Sequence, residues 1–134
     1  VRQTPIKRKL VRTAAGFRSK AIRYKTTGDP TADDLARLYL AADGRCYYCN
    51  ADLDPMTATY DHVIPFERGG SNEISNIVLS CLTDNRQKYT MSEEQYRDWL
   101  KLERVCPIDG TRFKPRAADY RRGYGFYCSR KCSG

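Results

Sequence analysis

Six cysteines in a chain of 134 residues constrain the fold more than any other feature. They occur as Cys46-Tyr-Tyr-Cys49, Cys81-Leu-Thr-Asp84, Cys106-Pro-Ile-Asp109 and Cys128-Ser-Arg-Lys-Cys132. At this density cysteines either form disulfides outside the cell or bind metal inside it. A chain of this length makes one small domain or two very small ones, and small cores need such staples. Alone, the first C-x2-C reads as a zinc knuckle, a redox pair or an accident. A redox pair would open a helix in a thioredoxin-like βαβ unit, and none is visible. C-x2-C, a long insert and a second C-x2-C-like pair give zinc spacing, with Asp84 as fourth ligand; a carboxylate is an accepted zinc ligand and carries a thiolate's charge. The other reading makes Asp84 a helix N-terminal residue, with water or nothing in fourth place. Cys106, Asp109, Cys128 and Cys132 form a second candidate zinc set, with Gly110 turning the chain after Asp109. Its alternatives are a disulfide among Cys106, Cys128 and Cys132, or Cys106 completing the first site. With His62 the one histidine, any site needing two imidazoles from one chain is excluded.

Lys and Arg outnumber Asp and Glu by 24 to 16, and the +8 charge points to a polyanionic partner, nucleic acid before anionic membrane. No apolar run approaches the ~18 residues of a spanning helix, and no apolar signal-peptide core is present, so no membrane association and an intracellular location are expected. Residues 1–28 hold nine Lys or Arg and no acid. Their large apolar residues fit no clear period, so they read as a partly ordered arm that gains structure on a phosphate backbone, with Arg8, Lys9, Arg12, Arg18 and Lys20 as contacts. A solubilising tail or an organelle transit peptide are the other readings. Residues 104–134 interleave Arg121, Arg122 and other cations with Phe113, Tyr120, Tyr124 and Phe126, the composition of a basic nucleic-acid-facing finger.

Between these ends, Thr31 caps a predicted helix that carries Leu35, Leu38, Tyr39 and Ala42 at helical spacing and stops at Gly44. Thr57 to Val63 reads as a strand, Pro65 and Gly69-Gly70 open a loop, and Ile77-Val78-Leu79 is a short buried strand. Leu82 to Tyr89 suits a short helix. Ser92-Glu93-Glu94-Gln95 is a capping box for a helix to about Leu102. Tyr96, Trp99 and Leu100 on that helix are expected in the core or as a bridge to the finger, with base stacking by Trp99 the alternative.

Asp61-His62, then Asn76, then Asn85, inside the C-x2-C frame, resemble the HNH nuclease family over roughly residues 31–95. The resemblance implies an α+β fold: a small ββα-metal core framed by a zinc knuckle, with flanking helices and a C-terminal segment similar to zinc ribbons. It divides the chain into a DNA-contacting arm (1–28), an HNH nuclease domain (29–103) and a zinc-ribbon-like finger (104–134). Asp84 stands where the family usually has Cys. The resemblance further implies a metal-dependent DNA endonuclease. His62 would be general base, and Asp61 and Asn85 would hold Mg2+ or Mn2+ on the scissile phosphate. Asn76 would fix the loop and help orient His62. Physical chemistry agrees, since a neutral His takes a proton near pH 7 and a hard divalent ion prefers oxygen ligands. Arg68, Arg86 and Lys88 are further candidates for phosphate contact, or members of a solvated face. Structural Zn2+ would occupy one or both cysteine sets. The partner would be DNA, bound with little sequence preference, in a bacterial cytoplasm or phage-infected host, with phage packaging or other DNA-processing proteins as further partners. The rival reading is a non-catalytic zinc-containing DNA-binding module with a degenerate nuclease frame.

Overall fold

The computed structural model describes residues 3–134; Val1 and Arg2, the start of the expected arm, lie outside the described residues. Instead of a partly ordered arm, Pro5–Arg23 form a 19-residue helix, α1. Thr4 caps it by accepting a hydrogen bond from the Lys7 backbone N–H, and Pro5 sits in its first turn, where no N–H is needed. Its buried residues are Leu10, Ala14 and Ala21. Together with half-buried Phe17 they follow a helical repeat that two small alanines complete, and large apolar residues alone do not reveal it. Lys9 is correspondingly turned inward, its ammonium donating to the Pro55 and Ala58 carbonyls.

Helix α2 (Ala32–Ala41) starts at the Thr31–Asp34 capping box and packs on α1. Strands β1 (Thr59–His62) and β2 (Ile77–Ser80) pair antiparallel, with Thr59 opposite Ser80 and His62 opposite Ile77. Helix α3 (Leu82–Lys88) follows β2 and packs against β1, which completes a ββα unit. Leu10, Ala14, Ala32, Leu35, Ala58, Tyr60, Ile77 and Leu79 form the main core between α1, α2 and the hairpin. The expected strands and helices are thus present, with ends shifted by one or two residues.

Helix α4 (Glu93–Lys101) carries the expected Ser92–Gln95 capping box. Tyr96 and Trp99 pack with Cys46, Tyr48 and Met91 in a second core, whereas Leu100, expected inside, is exposed. Trp99 donates its indole N–H to the Pro115 carbonyl at 2.9 Å and lies under the Lys114 ammonium. It therefore serves as the bridge to the C-terminal segment, which consists of the hairpin β3 (Arg104–Val105) and β4 (Arg112–Phe113) and helices α5 (Ala117–Arg121) and α6 (Arg130–Ser133). No helix among the described residues is long and apolar enough to cross a membrane.

The loop between β1 and β2 is held at two points. Asn76 acts as a substitute peptide group, accepting from the Ile64 N–H at 3.0 Å and donating to the Ile64 and Ser71 carbonyls. Asn72 is fully buried; its N–H reaches the Thr27 carbonyl at 2.7 Å and its side-chain amide the Gly28 carbonyl at 3.1 Å. Gly28 has φ +105°, and a Cβ there would lie 2.2 Å from the Asn72 carbonyl carbon. Both the dihedral and the backbone contact demand glycine. Gly28→Ala should destabilise the fold by more than about 1 kcal/mol, read as a lowered denaturation midpoint.

Candidate active site

A cleft of about 260 Å3 opens beside the β-hairpin, lined by Asp61 and His62 of β1, Asn85 of α3, Phe66 and Glu67 of the loop, and Phe17 and Lys20 of α1. The expected trio of Asp61, His62 and Asn85 therefore shares one cavity. Strand β1 supplies two neighbouring chemical groups from successive residues, and α3, packed on β1, brings in the third.

His62 is clasped between Phe17, edge-on at a centroid distance of 4.5 Å, and Phe66 at 4.4 Å. Its Nε2 lies 2.9 Å from Asn72 Oδ1. Because the Asn72 amide nitrogen already donates to Gly28, its oxygen faces the ring and Nε2–H is the donor. Neutral His62 consequently carries its lone pair on Nδ1. Burial lowers the His62 pKa below the ordinary 6.5, against the upward pull of the Asn72 hydrogen bond and Asp61. The ring is thus held neutral and in one tautomer, the state of a proton acceptor.

Asp61 is held from below. Its Oδ2 accepts from the Tyr48 hydroxyl at 2.5 Å and pairs with the Lys88 ammonium at 3.1 Å. Lys88 is 0% exposed and also donates to the His62 carbonyl. Burial and the Asp61 charge push the Tyr48 pKa up, so its hydroxyl remains a donor. Among the described residues Asp61 Oδ1 accepts no hydrogen bond. Asn85 donates its amide nitrogen to Thr59 Oγ1 at 3.0 Å and the Tyr60 carbonyl at 3.3 Å, which leaves its oxygen unengaged. One carboxylate oxygen and one amide oxygen at a cleft fit a hard divalent cation that keeps further positions for water or phosphate.

Two expectations are corrected. Asn76 makes no bond to His62; Asn72 orients the ring, while Asn76 closes the loop. Lys88 cannot meet DNA phosphate, because it is sealed beneath Asp61. Other basic candidates divide in the same way. The guanidinium of Arg68 is taken up by the Thr90 carbonyl and Gln95, and that of Arg121 by the Gln87 carbonyl. Lys9 is bound within the fold, and Arg18 pairs with Asp29. Arg8, Arg12, Lys20, Arg86 and Arg122 are exposed. Asn72, Tyr48 and Phe17 are the functional residues that sequence reasoning missed. For Asn72 the clue was its place directly after Gly69-Gly70-Ser71, while for Tyr48 and Phe17 nothing local distinguishes them from core aromatics.

The cysteine sets assemble as their spacing requires. The ligand atoms of Cys46, Cys49, Cys81 and Asp84 all lie within 4.8 Å of one another, and so do those of Cys106, Asp109, Cys128 and Cys132. No disulfide joins any of the six. Asp84 Oδ2 is 3.2 Å from Cys46 Sγ and 3.1 Å from Cys81 Sγ, and Cys49 and Cys81 are 4.0 Å apart. A zinc tetrahedron with ~2.3 Å sulfur bonds has sulfur–sulfur edges of about 3.8 Å, so the first set fits zinc. Burial pushes the Cys81 thiol up to about 12, which a bound cation would offset by favouring the thiolate. Either set could hold zinc.

His62 gives an unobstructed proton probe. Its NMR titration midpoint should fall below 6.5, and Phe17→Ala, which admits water to the ring, should move it back toward 6.5. Since the fold favours the neutral ring, the stability it contributes is complete above pH 6.5 and is lost as pH falls through the depressed native value. Metal analysis should find zinc on the purified protein. A strong chelator should lower its melting temperature, with Cys46→Ser blunting that response.

A family model described as HNH endonuclease matches residues 46–90, the span from Cys46 through Thr90 that contains Asp61, His62, Asn76 and Asn85. No curated protein matches the chain. The matched span holds the first cysteine set, the ββα unit and the cleft residues Asp61, His62 and Asn85, and residues 46–90 are therefore a domain of the HNH endonuclease family.

Proposed function

We propose that the protein is a metal-dependent DNA endonuclease with His62 as general base, Asp61 and Asn85 as ligands of a catalytic Mg2+ or Mn2+, and structural zinc at the two cysteine sets. Nuclease-type activity on nucleic acid is what the HNH domain implies at family level. The observation that carries the finer reading is the state of His62: desolvated, neutral and fixed by Asn72, beside Asp61 and Asn85 in one cleft.

Hydrolysis needs an attacking water, relief of charge on the phosphate and a stabilised leaving oxygen. His62 Nδ1 takes a proton from water as its oxygen attacks phosphorus, the bond to the leaving sugar oxygen breaks, and that oxygen takes a proton from solvent water. Asn72 stabilises the resulting imidazolium through Nε2–H. A divalent ion at Asp61 and Asn85 supplies charge withdrawal from the phosphate when bound. Lys20 at the cleft, with exposed Arg8, Arg12, Arg86 and Arg122 elsewhere on the surface, is suited to neutralise neighbouring phosphates without reading bases.

Plasmid cleavage with and without Mg2+ or Mn2+ tests the proposal. Cleavage should require the ion, and His62→Ala should lower its rate by about 10²–10⁴ while duplex binding persists. An unchanged rate would remove His62 from the chemistry. Binding without any ion-dependent cleavage would identify a DNA-binding module with a nuclease frame.

A further inference from the structure

The cleft is electrostatically balanced before any ion enters. Two carboxylates, Asp61 and Glu67, belong to it, and two ammonium groups oppose them: Lys20 on the rim and Lys88 beneath Asp61. The Lys88 charge is not a mobile surface charge. It is fully buried, donates to the His62 carbonyl at 3.1 Å, and shares Asp61 Oδ2 with the Tyr48 hydroxyl. Burial shields the pair from solvent ions, so its charge cancellation is felt by anything placed at the other face of Asp61.

Resting on the endonuclease reading, we propose that Lys88 makes the Asp61–Asn85 site too weakly charged to hold a divalent cation alone, so that cation and DNA phosphate bind there cooperatively. Mg2+ and Mn2+ favour oxygen donors, Mg2+ in six-coordinate geometry, and such sites usually use one or two carboxylates together with substrate phosphate. Here the protein offers one carboxylate oxygen whose charge is already matched, and one uncharged amide oxygen. A phosphodiester supplies the missing negative charge and another oxygen. The cation in turn gives the phosphate the positive charge that a cleft with balanced charges of its own does not provide. Linkage makes the two effects equal: whatever factor DNA adds to cation affinity, the cation adds to DNA affinity. The free protein would then carry no bound catalytic ion, and the chemistry would be assembled only on DNA.

The test uses the full chain loaded with zinc, so that added Mn2+ reads only the remaining site, and carries His62→Ala so that DNA persists. Free Mn2+ is followed by electron paramagnetic resonance in a titration with and without a short duplex oligonucleotide, with the duplex alone as control. The duplex should tighten Mn2+ binding by about 5- to 150-fold, the usual range of such coupling, and Mn2+ should tighten duplex binding by the same factor at constant ionic strength. Equal Mn2+ affinity in both titrations overturns the proposal. Lys88→Met in the same protein should raise duplex-free Mn2+ affinity at least about tenfold and shrink the coupling. A folded variant with unchanged coupling removes Lys88 from this role, and if the variant does not fold, the two titrations of the Lys88 protein still decide whether coupling exists. Failure of the underlying reading is separate: it is an unsubstituted protein that cleaves no plasmid with any ion, whereas ion-dependent cleavage with uncoupled Mn2+ binding refutes only the cooperative site.

Discussion

The buried Lys88–Asp61 pair ties the domain together. It joins the last turn of α3 to β1 and fixes one oxygen of the carboxylate that faces the cleft. Taking two charges out of water costs several kcal/mol per ion, and mutual attraction offsets this only when the remaining hydrogen-bond capacity is used. The His62 carbonyl on the lysine side and the Tyr48 hydroxyl on the carboxylate side supply part of that bonding, while Asp61 Oδ1 stays open to the cleft. Removing one partner of such a pair typically costs about 3–5 kcal/mol, because the other is left buried and uncompensated.

Through this pair the cysteine knuckle reaches the cleft. Tyr48 lies between Cys46 and Cys49, so the turn that presents two thiols also aims a phenol at Asp61. Tyr96 of α4 packs edge-on against Tyr48 and donates to Asp84 at 2.5 Å. Asp84 and Asn85 are adjacent on α3, one facing the thiols and the other facing β1. Metal held at the knuckle would therefore stiffen the same helix and the same phenol that position the cleft side chains, in the manner of outer partners that orient metal ligands.

Helix α1 does a second job beyond packing. Leu10 and Ala14 join the main core, while Phe17, further along the helix, covers the imidazole and Lys20 borders the cleft. Desolvation of His62 thus depends on a segment outside the matched family span. Gly28, just beyond α1, permits the close approach that seats Asn72 against the imidazole Nε2, so residues 5–28 supply both a wall and a support of the site.

The sequence by itself determined the parts that depend on spacing. Cysteine pairs at two- and three-residue intervals, the capping residues Thr31 and Ser92, and the breaks at Pro65 and Gly69-Gly70 act over one or two turns of chain. Their consequences are therefore local and readable, as are the resemblance-bearing Asp61, His62, Asn76 and Asn85. Tertiary structure decided the rest. Whether a lysine meets water or a carboxylate depends on what packs over it, and Lys88 and Arg86, two residues apart on α3, differ for that reason alone: one is sealed beneath β1 and the other faces solvent. The partner of His62 was decided by how the loop folds back on Gly28, which chose Asn72 over Asn76. The order of the N-terminal segment was decided by packing that large apolar residues alone do not reveal: Ala14, small enough to let α1 lie close, joins Leu10 in the core shared with α2 and the hairpin, and Phe17 is half-buried beside them.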